Sequence, residues 1–162
     1  MTNSVFNPPI DDRYFEDYIV GSVYEFGSIL VEEKDILDFA QKFDPQTFHV
    51  DKDKAKESPF GGLIASGWHT AAITMRLLVD HYVSRVGGMG SPGSGPIQFL
   101  RPVRPGDELS IRVTVFKATR SRSKPDRGTV QAFVETMNQH GEVVMTRIAI
   151  GILQCRPAHE KI

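Results

Sequence analysis

The sequence predicts an α+β domain in which one long helix covers the apolar face of an antiparallel sheet. Two patterns predict this class. Apolar residues recur at helical spacing from Ile64 to Val86, whereas the chain after Pro96 alternates apolar and polar residues as half-buried strands do. The helix and the sheet therefore have matching apolar faces, and the sequence contains no internal repeat.

Length, composition and charge exclude several functional classes. The chain has 162 residues, of which 40% are hydrophobic and 24% are charged, as expected for one globular domain with a hydrophobic core. A formal net charge of -1 gives no electrostatic basis for general nucleic-acid binding. Cys155 is the only cysteine, so an intrachain disulfide is impossible, and no Cys/His cluster predicts a metal site.

The ends of the chain predict its organisation. We divide it into an N-terminal arm at residues 1–18, a single domain at residues 19–156 and a C-terminal tail at residues 157–162. Pro8 and Pro9 oppose regular structure in a loose first segment, and the aromatic-rich residues 13–18 can pack on the domain. The N-terminus lacks the basic and apolar regions of a signal peptide, so we expect no membrane association and a cytoplasmic location.

The first half of the chain contains one strand region and three helices. Residues Val20 to Val31 predict a strand pair or one bent strand, and residues Glu32 to Phe43 predict an amphipathic helix. Asp51 caps a short charged helix that ends at Glu57. The long helix begins after Ser66 and ends at Gly87 and Gly88, about 20 residues or roughly 30 Å later.

The second half predicts at least three antiparallel strands after a flexible turn at residues 91–95. Tight turns are expected at residues 105–107 and 139–142. The residues predicted to face the core are apolar with one exception, and they are Leu109, Ile111, Val113, Val115, Val130, Ala132, Val134, Val144, Thr146, Ile148, Ile150 and Ile152.

Two proton-transfer groups lie five positions apart after the first helix. Pro45 moves Asp44 out of the helical region, and the irregular backbone that follows can bring the Asp44 carboxylate to the imidazole of His49. Phe43 and Phe48 flank the pair, and partial desolvation by them would raise the pKa of Asp44 toward the range of a general base. The alternative is an ordinary Asp-Pro turn beside a structural histidine.

The start of the long helix is the second candidate feature. Ser66 is suited to the N-cap position, and the first N–H groups of a helix lack internal partners. Gly67 has no side chain to cover its N–H, so a thioester carbonyl can approach and be polarised there. The alternative is a capped helix whose glycine only permits close packing.

Three segments, DPQTFHVD, FGGLIASGWHT and PIQFLRPVRPGDEL, resemble those of the MaoC-like dehydratases, the family that contains the R-specific enoyl-CoA hydratases. The resemblance covers residues Gly21 to Arg156. Asp44 and His49 match the Asp and His of the family motif Gly-Asp-x-Asn-Pro-x-His in type and spacing, and Gly67 matches the oxyanion-binding glycine. The sequence departs from the motif in having Phe43 for Gly, Gln46 for Asn, Thr47 for Pro and Ser66 for the usual His.

The resemblance implies the hot-dog fold, a curved antiparallel sheet wrapped around a long central helix. It also implies reversible addition of water to a trans-2-enoyl-CoA, giving a (3R)-3-hydroxyacyl-CoA, with Asp44, His49 and the Gly67 N–H as catalytic groups. Phe43, Phe48, Ser66 and Trp68 are the candidate substrate-binding residues. No metal or other cofactor is implied, because coenzyme A is part of the substrate. A hot-dog acyl-CoA thioesterase and a non-catalytic acyl-CoA-binding module are the alternative functions.

Two further expectations concern the surface. Either Arg101 and Arg104, or the loop containing Arg120, Arg122, Lys124 and Arg127, can bind the phosphates of coenzyme A, although solvated loop charge is the simpler interpretation. A single sheet leaves two exposed edges, so we expect a homodimer or a higher homo-oligomer. In the family the acyl site lies at the subunit contact, which would place Trp68 and His69 near it. Their simpler roles are a core anchor and a helix-surface histidine.

Overall fold

The computed structural model describes residues 3–158 of the protein. One-turn 3-10 helices at Ile10–Asp12 and Phe15–Asp17 precede the main elements. Those elements follow in the order β1 (Val23–Leu30), α1 (Glu33–Phe43), α2 (Thr47–Val50), α3 (Lys52–Glu57), α4 (Gly67–His81), β2 (Ser94–Phe99), β3 (Glu108–Arg120), β4 (Arg127–Met137) and β5 (Val143–Gln154). The predicted α+β class is confirmed.

The five strands form one antiparallel sheet in the order β1-β3-β4-β5-β2, and α4 packs against its inner face. The alternation predicted for β3 is confirmed, because Leu109, Ile111, Val113 and Val115 are all fully buried. Leu77 and Leu78 of α4 complete this core. Strands β1 and β2 are the two edges of the sheet. Strand β1 is the single bent strand that the sequence allowed, with an irregularity between Phe26 and Ile29.

The register of β5 corrects a sequence prediction. Val134, which is fully buried, pairs with Arg147, and the buried Ala132 pairs with Ala149, so Arg147 and Ala149 face α4. The predicted inward residues Thr146, Ile148, Ile150 and Ile152 therefore lie on the opposite face, where Ile148 pairs with the exposed Phe133. Consecutive apolar residues along β5 gave no unique alternation, so pairing with β4 decides the face.

Helix α4 is shorter than predicted, since it ends at His81 and not at Gly87. The Arg13 guanidinium donates to the carbonyl oxygens of His81 at 2.9 Å and of Tyr82 at 3.1 Å, and the Tyr18 hydroxyl donates to Tyr82 O at 2.7 Å. The last carbonyl groups of a helix need such partners, and here distant residues supply them. These side-chain donors satisfy the last carbonyl groups of α4, so the helix ends before Gly87, where the sequence predicted its end.

The N-terminal segment is ordered against the sheet, which differs from the loose arm that was expected. Ser4 N donates to Val23 O at 2.6 Å, the Phe6 ring stacks on Tyr24 at a centroid distance of 4.0 Å, and Arg13 is buried. The domain boundaries at residues 18 and 156 stay predictions. The last four residues of the predicted tail lie outside the described part of the chain.

The helices before the site follow the sequence with one exception. Helix α1 ends at Phe43 as predicted, and Asp51 caps α3 by accepting from Asp53 N and Lys54 N. The backbone from Asp44 to His49 was predicted as irregular, but its second half belongs to the single turn α2, at Thr47–Val50. Strand β2 begins at Ser94, inside the predicted turn. Within residues 3–158 no helix has the length and apolarity needed to cross a bilayer, and the cytoplasmic location stays a prediction.

Candidate active site

The structure brings Asp44 and His49 together. Asp44 follows the last residue of α1 with φ -152° and ψ 68°, and His49 lies on the single turn of α2. His49 Nε2 is 3.4 Å from Asp44 Oδ2, and His49 Nδ1 is 2.8 Å from Ile64 O. A carbonyl oxygen only accepts hydrogen bonds, so Nδ1 carries a hydrogen atom and Nε2 faces the carboxylate. The buried imidazole is thus held in one orientation.

Both oxygen atoms of the Asp44 carboxylate have a hydrogen-bond donor. The Ser66 hydroxyl donates to Oδ2 at 2.7 Å, and the Gln46 side-chain amide donates to Oδ1 at 2.7 Å. These bonds, with Ser66 as the largest contributor, lower the pKa of Asp44, and His49 acts in the same direction. The sequence-based expectation of a raised pKa is wrong, because desolvation is outweighed by the two donors.

The N-terminus of α4 borders the same carboxylate. Ser66 is the N-cap, as predicted, and its Oγ accepts from Trp68 N at 3.3 Å while donating to Asp44. Within residues 3–158 the Gly67 N–H has no hydrogen-bond acceptor. A Cβ atom at Gly67 would lie 2.7 Å from the ring of Phe99, so a larger residue here would need the ring or the start of α4 to move. The position thus offers an unpaired N–H that no side chain of its own covers.

These groups line a cavity of about 460 Å³. Its polar lining residues include Asp44, Gln46, His49, Gly67, Thr70 and Arg101, and its apolar walls include Phe48, Phe60, Ile64, Trp68, Phe99 and Val103. The Phe48 ring meets the His49 ring edge to face at 4.5 Å. An apolar cavity with a few convergent polar groups is the usual form of a small-molecule site.

Two other predicted site residues lie elsewhere. Phe43 does not line the cavity; its side chain is 65% exposed and packs beside Phe39 at a centroid distance of 5.1 Å. His69 is buried and stacks on Phe39 at 4.8 Å, so the expected helix-surface position is wrong. Burial lowers the pKa of His69. The exposed Trp68 lines the cavity and is not a core anchor.

The two candidate phosphate-binding regions lie at opposite ends of the sheet. Arg101 lines the cavity and is 3.6 Å from Glu142, and Arg104 donates to Phe60 O at the same end. The loop from Arg120 to Arg127 lies at the far end of β3, a 13-residue strand that is roughly 40 Å long. Of the candidate phosphate-binding residues, Arg101 and Arg104 are the two that lie near the site within one chain.

Two residues of this site, Gln46 and Phe99, have no role that the sequence patterns predicted. Gln46 counted only as a departure from the family motif, yet it is a donor to Asp44. Its position two residues after Asp44 was the available signal, because an amide side chain there can reach back to the carboxylate. Phe99 could not be found from spacing, since β2 meets α4 only in the folded chain.

Comparisons with known proteins identify the family of the chain. The chain matches the MaoC like domain over residues 17–138. It is 33% identical to the uncharacterized protein YdeM of Bacillus subtilis over 76% of this chain and 86% of that protein. It is also 31% identical to a 3-hydroxybutyryl-CoA dehydratase of Methylorubrum extorquens over 67% of each chain.

Solved structures extend the likeness to three dimensions. The crystal structure of a MaoC-like dehydratase from Rhodospirillum rubrum covers 90% of this chain and 99% of its own, with a TM-score of 0.81 and 45% identity. A Mycobacterium tuberculosis protein with a double hot-dog fold gives a TM-score of 0.80 at 15% identity over 94% of this chain and 47% of its own, which supports the fold alone.

The fold and the site thus define a hot-dog protein with a carboxylate–imidazole pair at the N-terminus of its long helix. The chain belongs to the MaoC-like dehydratase family. The family and the fold class predicted from the sequence are both confirmed.

Proposed function

We propose that the protein catalyses the reversible addition of water to a trans-2-enoyl-CoA, giving a (3R)-3-hydroxyacyl-CoA. The observation that carries this proposal is the convergence of Asp44, His49 and the Gly67 N–H in one largely apolar cavity. Membership of a family that includes hydratases and dehydratases supports a hydro-lyase. The 31% identity to a 3-hydroxybutyryl-CoA dehydratase supports a thioester substrate.

The proposed step uses three groups of this chain. Asp44 and His49 hold the water, and the carboxylate accepts a proton as the water oxygen attacks C3. Protonated His49 donates from Nε2 to C2, while the Gly67 N–H binds the enolate oxygen that develops on the thioester. The proton taken by Asp44 returns to His49 across the 3.4 Å contact between Oδ2 and Nε2. The chemistry assigned in this way needs no metal or redox cofactor, and coenzyme A is part of the substrate.

The direct test is loss of enoyl absorbance when the purified protein is mixed with crotonyl-CoA or longer enoyl-CoA thioesters. We expect Asp44→Asn and His49→Ala to reduce kcat by about 10²–10⁴-fold, the usual contribution of general acid–base catalysis. Matched controls are Asp53→Asn and His140→Ala, since both residues are exposed and lie outside the cavity. Undiminished turnover by either site variant would overturn the proposal.

The same preparations separate the two alternative functions. A thioesterase would release free thiol, which a thiol reagent detects, and would not consume the enoyl double bond. A non-catalytic module would bind acyl-CoA tightly without turnover at any chain length. Either result would replace the hydratase assignment and keep the same cavity as the binding site.

A further inference from the structure

A second cavity, of about 210 Å³, lies between the C-terminal half of α4 and strand β5. It shares no lining residue with the candidate active site. Its walls are mainly apolar, and they include Met75, Leu78, Val83, Val130, Ala149 and Leu153. Arg147 also lines it, and a charged side chain in such surroundings needs an explanation.

The position of Arg147 follows from the strand register. It pairs with Val134 on one side and with Ile97 on the other, so its side chain lies on the face of the sheet that α4 covers. Its Nε atom is buried without a hydrogen-bond partner, and within residues 3–158 no carboxylate forms an ion pair with it. Burial lowers the pKa of the guanidinium, in agreement with this apolar environment.

An unpaired guanidinium beside an apolar cavity favours an anionic ligand. Arg147 is half-buried, and a charge that is partly removed from water is stabilised by a counter-ion. The planar fork of donors on arginine matches a carboxylate, which it binds in a bidentate way. Tyr82 also lines the cavity, and its hydroxyl is likewise buried without a partner.

We propose that this cavity binds the carboxylate end of an aliphatic molecule, with Arg147 as the counter-ion and the apolar walls around the hydrocarbon chain. Two sources share this chemistry, a free medium-chain carboxylate and an acyl thioester with a carboxylate at its distal end. Val144 lines the active-site cavity, and Arg147 lies three residues further along β5, about 10 Å away. The site itself does not depend on the hydratase activity, since binding can be measured without turnover.

The first experiment is calorimetric titration of the full chain with octanoate and, separately, with octanol. We expect octanoate to bind at least tenfold more tightly, as a charge-assisted hydrogen bond requires. Arg147→Met should abolish this preference and retain octanol binding. It should leave the Tm no lower, because the Arg147 side chain makes no hydrogen bond or ion pair with the described residues that the substitution would remove, and a retained Tm shows that the variant folds. Arg76→Met, an exposed arginine on α4, is the matched control.

Three results would overturn the proposal. The first is equal affinity of the unmodified protein for octanoate and octanol, and the second is an unchanged octanoate preference in Arg147→Met. If a carboxylate of a second copy occupies the cavity instead, octanoate will not bind and Arg147→Met will shift the sedimentation of the protein. That outcome also contradicts a ligand site.

A second experiment distinguishes the two sources. It compares trans-2-enoyl-CoA thioesters of equal length that end in a carboxylate or in a methyl group. If the substrate supplies the carboxylate, Arg147→Met raises the KM of the carboxylate-ended thioester at least tenfold relative to the KM of the methyl-ended thioester. If a free carboxylate is the ligand, the ratio of the two KM values stays unchanged while octanoate binding is lost. If the protein shows no turnover, the dissociation constants of the two thioesters are compared in place of their KM values. Failure of the hydratase proposal can then be distinguished from failure of the carboxylate-site proposal.

Discussion

At the scale of single residues, the two donors on the Asp44 carboxylate set the pH range in which it can act. A general base must be ionised, and the hydrogen bonds from Ser66 and Gln46 keep the pKa of Asp44 below its usual value. Gln46 is the better residue to change, because Ser66 also caps α4 and its loss would weaken the helix.

We therefore predict that Gln46→Leu raises the pKa of Asp44 and moves the acid limb of the kcat/KM profile to higher pH. The depressed pKa also stabilises the fold above the pKa of the unfolded chain, and this contribution is lost as the pH falls through the folded pKa. Gln46→Leu should reduce that contribution. Thr47→Ala, at the exposed neighbouring position, is the control, and identical acid limbs in both variants would contradict the assignment.

A second residue-scale prediction concerns Gly67. In Gly67→Ala the new Cβ atom would lie 2.7 Å from the Phe99 ring, so the ring or the start of α4 must move. The Gly67 N–H is retained in this variant, but the movement displaces it from the oxyanion position. We therefore expect kcat to fall by about 10²-fold, the effect of losing one oxyanion donor. Phe99→Leu in the same chain should restore part of the loss, as a double-mutant cycle would show.

The control for this cycle is Gly62→Ala, whose Cβ atom would meet Arg104 at an ordinary contact distance of 3.5 Å. It should leave turnover near that of the unmodified protein. If Phe99→Leu gives no recovery, the ring is not the cause of the loss at Gly67.

At the scale of elements, Arg13 connects the N-terminal segment to the last turn of α4. It donates to the carbonyl oxygens of His81 and Tyr82 in a buried position. We predict that Arg13→Met lowers the free energy of unfolding by about 2–4 kcal/mol, since hydrogen bonds from a charged group are worth about 1.5–3 kcal/mol each. The His81 carbonyl loses its side-chain donor, whereas the Tyr82 carbonyl keeps the Tyr18 hydroxyl. Urea denaturation measures this change.

Arg85→Met, at an exposed position nearby, should cost much less than Arg13→Met. Enoyl-CoA turnover at low temperature should be retained in both variants, because the candidate active site lies at the other end of α4. Equal stability of the two variants would mean that the carbonyl groups find other partners.

The elements also show how far the sequence determines this structure. Local rules predicted the end of α1 at Asp44-Pro45, the Asp51 cap and the inner face of β3, because each depends on neighbouring residues. The end of α4 and the face of β5 depend on Arg13 and on pairing with β4, which are distant in sequence. Likewise, the spacing of Asp44 and His49 predicted that the two side chains meet. The hydrogen-bond donors that lower the pKa of Asp44 could be identified only in the folded structure.

At the scale of the whole molecule, one side of the protein is unusually apolar. Helix α4 exposes Trp68, Ala72, Met75 and Val79, which follow one another at helical spacing along one face. The Trp68 ring meets Phe99 on the edge strand β2 at 6.0 Å, so this helix face and this sheet edge adjoin. Natural proteins usually pair or cover such an edge, and a contiguous exposed apolar patch often marks an interface.

We predict a two-fold dimer in which β2 edges pair and the α4 faces pack together. Light scattering should give twice the 18.1 kDa mass of the chain across dilution. Met75→Glu with Val79→Glu should produce the monomer through charge repulsion at the contact, while Arg76→Gln on the polar side of α4 should remain dimeric. Because Trp68 lines the candidate active site, the monomer should also lose most of its turnover. Full activity in a species of 18.1 kDa would show that each chain carries a complete site by itself.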